Sequence, residues 1–123
     1  MSCKTNETPL SAQTIQVGMA HNLILQQNGN ENFKILDVRT VEEFNNGHIL
    51  NAIHRDIVND KASLLNLDKE KTYLIYCHSG RRSQHALDYL KENGFKRLFN
   101  MAGGIVEWKK TFNTLTPNPK NER

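Results

Sequence analysis

A single α/β domain with a small, mostly parallel sheet is predicted by three features of the 123-residue chain. Short apolar runs of strand length alternate with segments whose apolar residues recur at helical spacing, which is the signature of strands joined by crossover helices. One run, Tyr73-Leu74-Ile75-Tyr76, is apolar without alternation, as a central parallel strand covered on both faces should be. An apolar content of 37% over this length supplies one hydrophobic core and too little for a second. A sheet of roughly four or five strands follows.

The elements can be placed in order. Residues 1–9 are polar and aperiodic and are expected to form a flexible arm; the same is expected of residues 113–123, where Pro117 and Pro119 crowd the end. The domain proper is expected over residues 10–112. Val17, Ala20, Leu23 and Ile24 share one helical face, and Asn28-Gly29-Asn30 stops that helix. Phe33 to Val38 reads as a strand. Thr40-Val41-Glu42-Glu43 has the capping-box pattern, in which the Thr hydroxyl and the Glu carboxylate satisfy free N–H groups at a helix start, and this helix should end near Gly47. Ala52 to Ile57 is a weaker strand candidate, and Lys61 to Leu67 a helical turn offering Leu64, Leu65 and Leu67 to the core. After the strand at Tyr73, the residues Ala86, Leu87 and Leu90 mark a helix closed by Gly94 at the position that favours a left-handed backbone. Arg97 to Asn100 is the last strand, and a terminal helix follows Gly103-Gly104 through Trp108.

Composition narrows the function. The formal charge of +3 arises from interspersed residues rather than a basic run, which argues against nucleic acid as a partner. No apolar run approaches the roughly 20 residues of a membrane-spanning helix. No apolar signal segment precedes Gly18, which predicts cytoplasmic residence; the alternative is a periplasmic or lipid-anchored protein whose processed form begins at Cys3. The two cysteines, Cys3 and Cys77, lack C-x-x-C spacing and suggest neither a disulfide framework nor a zinc site, so no metal or cofactor is expected.

Cys77 is the residue that carries chemistry. It ends an apolar strand and opens the turn Cys77-His78-Ser79-Gly80-Arg81-Arg82-Ser83 into a helix. Ligands gather at such junctions because helix N-termini present unpaired N–H groups and partial positive charge. The helix terminus and the guanidinium groups should lower the thiol pKa, making Cys77 a thiolate near neutral pH. Gly80 lets the turn fold back into a nest of inward N–H groups. Arg81 and Arg82 add planar donors for an oxyanion, with Arg82 the first choice to face the site and Arg81 the second; Ser83 should cap the helix and contribute a hydroxyl. The result is a nucleophilic sulfur inside an oxyanion cradle.

The segments Asp37-Val38-Arg39-Thr40-Val41-Glu42-Glu43-Phe44, Gly47-His48-Ile49-Leu50-Asn51-Ala52, Cys77-His78-Ser79-Gly80-Arg81-Arg82-Ser83 and Met101-Ala102-Gly103-Gly104-Ile105-Val106-Glu107-Trp108 resemble the patterns of rhodanese domains, in the family's order. The resemblance implies a rhodanese-like three-layer sandwich and a six-residue active loop from Cys77 to Arg82. It also implies transfer of sulfane sulfur through a Cys77 persulfide. A small anionic donor such as thiosulfate would give its outer sulfur to the thiolate and leave as sulfite; cyanide, a small thiol or a protein acceptor would then remove it. In the family varied residues occupy the position of His78, so a direct role for it is not expected.

Asp37, Arg39 and Glu43 read as an ion-pair and capping network holding a turn, and His48 and Trp108 as packing residues. Some cell-cycle phosphatases share the fold, but they place five residues between Cys and Arg. Here four separate Cys77 from Arg82, Ser83 stands where that Arg would be, and Tyr76 replaces the His that commonly precedes their cysteine. A persulfide carrier for a dedicated partner and a non-catalytic binding module are the remaining alternatives; inactive copies of the fold commonly lack the cysteine that this chain keeps.

Overall fold

The computed structural model describes residues 11–115, so Cys3 and the proposed arm lie outside the described residues. Five parallel strands form one sheet in the order β1-β5-β4-β2-β3. They are β1 (Ser11–Ile15), β2 (Phe33–Asp37), β3 (Ile53–His54), β4 (Thr72–Tyr76) and β5 (Arg97–Met101). The helices are α1 (Val17–Gln26), α2 (Val41–Asn45), α3 (Arg81–Glu92) and α4 (Gly104–Phe112), with a 3₁₀ turn at Lys61–Asn66.

The strand period of two decides the layers. Along β4, Leu74 and Tyr76 point to one face and join Val17, Ala20 and Ile24 of α1 and Ile105 and Trp108 of α4. Tyr73, Ile75 and then Cys77 point to the other face, against Ala86, Leu87 and Leu90 of α3 and Leu64 of the 3₁₀ turn. Both faces are covered, which explains the unbroken apolar run and completes a three-layer sandwich. Tyr73 through Cys77 are each at most 1% exposed, so a polar substitution along this strand would strand an unpaired group in the core.

Local rules account for the helix ends. Thr40 and Glu43 form the reciprocal capping box expected of them. Gly94, at φ +94°, ends α3: its N–H reaches the Lys91 carbonyl at 3.2 Å, and the Phe95 N–H reaches the Leu90 carbonyl at 3.1 Å. This paired motif buries Phe95 against the helix it terminates.

Several elements depart from the sequence reading. Residues 11–15, for which the sequence pattern predicts no element, form the edge strand β1, paired with β5 from Ser11 opposite Arg97 to Ile15 opposite Met101. Of the candidate strand from Ala52 to Ile57 only Ile53–His54 forms strand; the Arg55 and Ile57 N–H groups still reach the Asp37 and Val38 carbonyls at 3.0 and 3.2 Å before the chain turns through a loop anchored on Asp56. The Asp56 carboxylate accepts the N–H groups of Val58 and Asn59, both at 2.9 Å, which gives that turn a local hydrogen-bonded alternative to the sheet. Past Phe112, the Trp108 indole donates to the Thr114 carbonyl at 2.8 Å, and the Leu50 N–H to that of Leu115 at 3.0 Å. Among the described residues no helix is long and apolar enough to cross a membrane.

Candidate active site

Strand β4 delivers Cys77 to the C-terminal edge of the sheet, where α3 starts. The N-cap of α3 is Gly80, at φ +106°, a left-handed backbone that glycine adopts without steric cost. That turn aims the Gly80 N–H back at Cys77 Sγ, at 3.1 Å. Ser83, expected to cap the helix, instead lies in its first turn and points its hydroxyl at the same sulfur, at 3.4 Å.

Burial pushes the Cys77 thiol up, since only 1% of the residue is exposed. The Ser83 hydroxyl and the backbone N–H groups of Ser83, Gly80 and Ser79 donate toward the sulfur and outweigh burial, so the thiol lies below its ordinary value. The sign is that of any acid whose anion is stabilised: thiolate prevails above the lowered pKa and is lost as pH falls through it. Alkylation of Cys77 is therefore expected to remain fast at pH values where a free thiol is largely protonated. Ser83→Ala should move the inflection of rate against pH upward; an inflection at or above that of a free thiol in the parent protein would contradict the geometry.

The arginines sit differently from one another. Arg81 is exposed. Arg82 turns its terminal nitrogens onto the Glu43 carboxylate, at 2.8 and 2.9 Å, across from the other wall of the site. Glu43 also accepts from the Thr40 N–H and hydroxyl, both at 3.0 Å, so one carboxylate caps α2 and tethers α3. The Arg82 guanidinium, ahead of a smaller opposing effect of burial, holds the Glu43 carboxyl down at about 2, and it stays ionised through the neutral range. Each terminal nitrogen of Arg82 carries a second N–H, so the guanidinium retains donors beyond those given to Glu43.

Asp37 and Arg39 form the expected ion pair, at 2.7 Å and nearly fully buried, and Arg39 also donates to the Gly47 carbonyl at 2.6 Å. His48 stacks on Phe44 with centroids 3.7 Å apart, and Trp108 is fully buried; both pack as expected. His78 and Ser79 are exposed at the loop's outer edge.

Two features escaped the sequence reading. The Glu43 to Arg82 link joins residues 39 apart, and the capping box located the carboxylate without revealing its second partner. Asn100, 4% exposed, donates from Nδ2 to Gln84 Oε1 at 3.2 Å and to the Gly80 carbonyl at 3.5 Å, tying β5 to the loop. A polar residue inside a strand was its only signal.

A third support comes from α4. Two N–H groups of its first turn, on Ile105 and Val106, donate to the carbonyls of Cys77 and His78 at 2.9 and 3.2 Å. A Cβ at Gly104 would collide with both of those carbonyls, so glycine there is what allows the helix to seat on the loop.

Known proteins resemble this chain in sequence and in fold. The family model of the rhodanese-like domain matches residues 20–111. The chain is 37% identical over 75 residues to the thiosulfate sulfurtransferase GlpE of Coxiella burnetii, covering 61% of this chain and 70% of that protein. It is 40% identical over 80 residues to the putative sulfur carrier protein YrkF of Bacillus subtilis, covering 63% of this chain and only 42% of YrkF. The crystal structure of a rhodanese-like domain protein from Staphylococcus aureus superposes with a TM-score of 0.66 at 30% identity, over 78% of this chain and 90% of that one.

Proposed function

The chain belongs to the rhodanese-like domain family, and from that membership we propose that it moves sulfane sulfur from thiosulfate or a persulfide donor to a thiophilic acceptor through a Cys77 persulfide. The observation that carries the reading is the pair of donors on one buried sulfur, the Gly80 N–H at 3.1 Å and the Ser83 hydroxyl at 3.4 Å.

In the first step the Cys77 thiolate attacks the outer sulfur of thiosulfate. A sulfur–sulfur bond forms to Sγ, the bond between the two thiosulfate sulfurs breaks, and its electron pair leaves on sulfite. The product is Cys77–S–S⁻ plus sulfite, with no external oxidant or reductant. The N–H and hydroxyl donors that stabilise the thiolate would stabilise the persulfide anion equally, which keeps the intermediate from being a high-energy state. In the second step an acceptor takes the outer sulfur and returns the electron pair to Sγ.

The test is intact mass spectrometry after incubation with thiosulfate, expected to show one added sulfur that a thiophile removes. A protein that gains no sulfur, yet hydrolyses aryl phosphates with Cys77-dependent turnover, would overturn the proposal. The name of YrkF favours a second reading in which the persulfide is carried to a dedicated partner. Slow turnover with cyanide alongside complete loading of Cys77 would support it.

Arg82 is proposed to meet the anionic end of the donor with the N–H groups that Glu43 leaves free. Arg82→Ala should weaken thiosulfate use by about 1.5–3 kcal/mol, as loss of one charged hydrogen bond does. Lys should rescue only in part, lacking the planar fork. The pair is partly exposed, so its loss should cost stability less than about 1 kcal/mol. Unchanged kinetics would move the role to Arg81 or to the backbone.

A further inference from the structure

Asn100 lies on the α3 face of β5, two residues beyond Leu98 and opposite Ile75 of β4, and only 4% of it is exposed. Its Oδ1 is buried and has no hydrogen-bond partner among the described residues. An unpaired acceptor in the core costs stability that an apolar side chain of the same shape would not. What the residue brings in return is the other end of its amide, which sits at the base of the Cys77 loop. We propose that Asn100 is a positioning residue for the sulfur transfer read above: the polar chain Asp88–Gln84–Asn100 turns its Nδ2 onto the Gly80 carbonyl and so keeps the Gly80 N–H aimed at Cys77.

The chain fixes direction one link at a time. The Asp88 carboxylate, on the exposed side of α3, offers only acceptors, so Gln84 presents Nε2 to it, at 3.1 Å. With Nε2 committed, Gln84 Oε1 faces inward, where it accepts from the Thr14 hydroxyl of β1 at 3.3 Å and from Asn100 Nδ2 at 3.2 Å. The oxygen of Asn100 in that place would meet the oxygen of Gln84, so the amide nitrogen faces α3 and Oδ1 is the end left over. The same Nδ2 lies 3.5 Å from the Gly80 carbonyl, which also accepts the Gln84 N–H at 3.2 Å. Gln84 therefore holds Gly80 twice, through its own backbone and, by way of its side chain, through Asn100.

Glycine is where such a hold matters. Gly80 stands at φ +106° and ψ −11°, and without a Cβ it has the widest choice of backbone angles of any residue. Its carbonyl and its N–H flank one Cα, so a carbonyl released from β5 frees the N–H to leave Cys77 Sγ, 3.1 Å away. The contact that orders Gly80 is thus one step removed from the sulfur and acts on it only through the loop.

Two substitutions test it. Asn100→Leu removes the unpaired Oδ1 and orphans neither partner, because Gln84 Oε1 keeps Thr14 and the Gly80 carbonyl keeps the Gln84 N–H. Its melting temperature should equal or exceed that of the parent, while single-turnover persulfide formation from thiosulfate falls about tenfold. The inflection of Cys77 alkylation rate against pH, read with neutral iodoacetamide, should move upward as the Gly80 donor loosens. Asp88→Lys works from the surface, where a substitution changes stability little. An ammonium only donates, so Gln84 reverses, presents Nε2 inward and turns the Asn100 oxygen toward the Gly80 carbonyl. The rate should then fall about threefold or more, although the added positive charge by itself would draw thiosulfate in. Asp88→Asn retains an acceptor and should keep most of the parental rate. An unchanged rate and inflection in Asn100→Leu, or equal rates for Asp88→Lys and Asp88→Asn, would overturn the proposal; if Asn100→Leu loses thermal stability along with rate, the Asp88 pair alone decides. Failure of the parent Cys77 to load sulfur would instead overturn the sulfur-transfer reading, and the alkylation inflection would still judge Asn100.

Discussion

Cys77→Ser is expected to abolish sulfur uptake from thiosulfate, while Cys3→Ser leaves it at the parental level. Serine is the closest isostere of the thiol, and its oxygen can accept the hydrogen bonds that Gly80 and Ser83 direct at Sγ. The buried position is therefore satisfied and the fold should persist. What disappears is the nucleophile, because an alcohol is not ionised under conditions in which the stabilised thiol is, and among the described residues the partners of Sγ are an N–H and a hydroxyl rather than a base. Sulfite release and intact mass would both read the loss. Comparable loss in the Cys3 variant would sink the assignment of a single nucleophile.

Gly104→Ala should be nearly as damaging without touching the chemistry directly. Gly104 has φ +60°, which costs an L-residue about 1–2 kcal/mol. Its new methyl group would also collide with the carbonyls of Cys77 and His78, both backbone atoms that cannot swing aside. Either α4 lifts off, losing the Ile105 and Val106 hydrogen bonds, or the loop moves and takes the Gly80 N–H away from the sulfur. Displacement of a reacting group by around 1 Å can cost on the order of 100-fold in rate, and a loss of that size in single-turnover persulfide formation is the expected result. Gly29→Ala separates strain from collision. Gly29 has φ +86° but nothing within 4 Å of an added Cβ, so its variant should lose some thermal stability and keep full transfer. Equal transfer in the two variants would show that the seating of α4 on the loop is unimportant.

The two glycine variants mark where local pattern stops being informative. Gly103-Gly104 is legible in the sequence as the break that precedes the last helix, yet which carbonyls the second glycine spares depends on where α4 packs. The same division runs through the charged residues. Thr40 and Glu43 were readable as a capping box because cap and helix lie within three residues, whereas the Arg82 partner arrives from 39 residues away. Of the two arginines, of which Arg82 is the first choice from sequence to face the site and Arg81 the second, Arg81 is exposed and Arg82 is engaged by Glu43.

Sequence alone determined the alternation of strands and helices, the helix boundaries at Thr40 and Gly94, the strand-to-helix position of Cys77 and the family to which the chain belongs. Each of these rests on periodicity, capping or turn chemistry confined to a few neighbouring residues. Tertiary structure alone decided that residues 11–15 form an edge strand, since their short and partly polar run acquires a partner only from β5, some 86 positions later. It also decided that the donors on Cys77 Sγ are Gly80 and Ser83 and that Asn100 braces the loop from β5. Those arrangements join segments distant in the chain, and pairings of that kind are set by the layering of helices on the sheet, which no local pattern records.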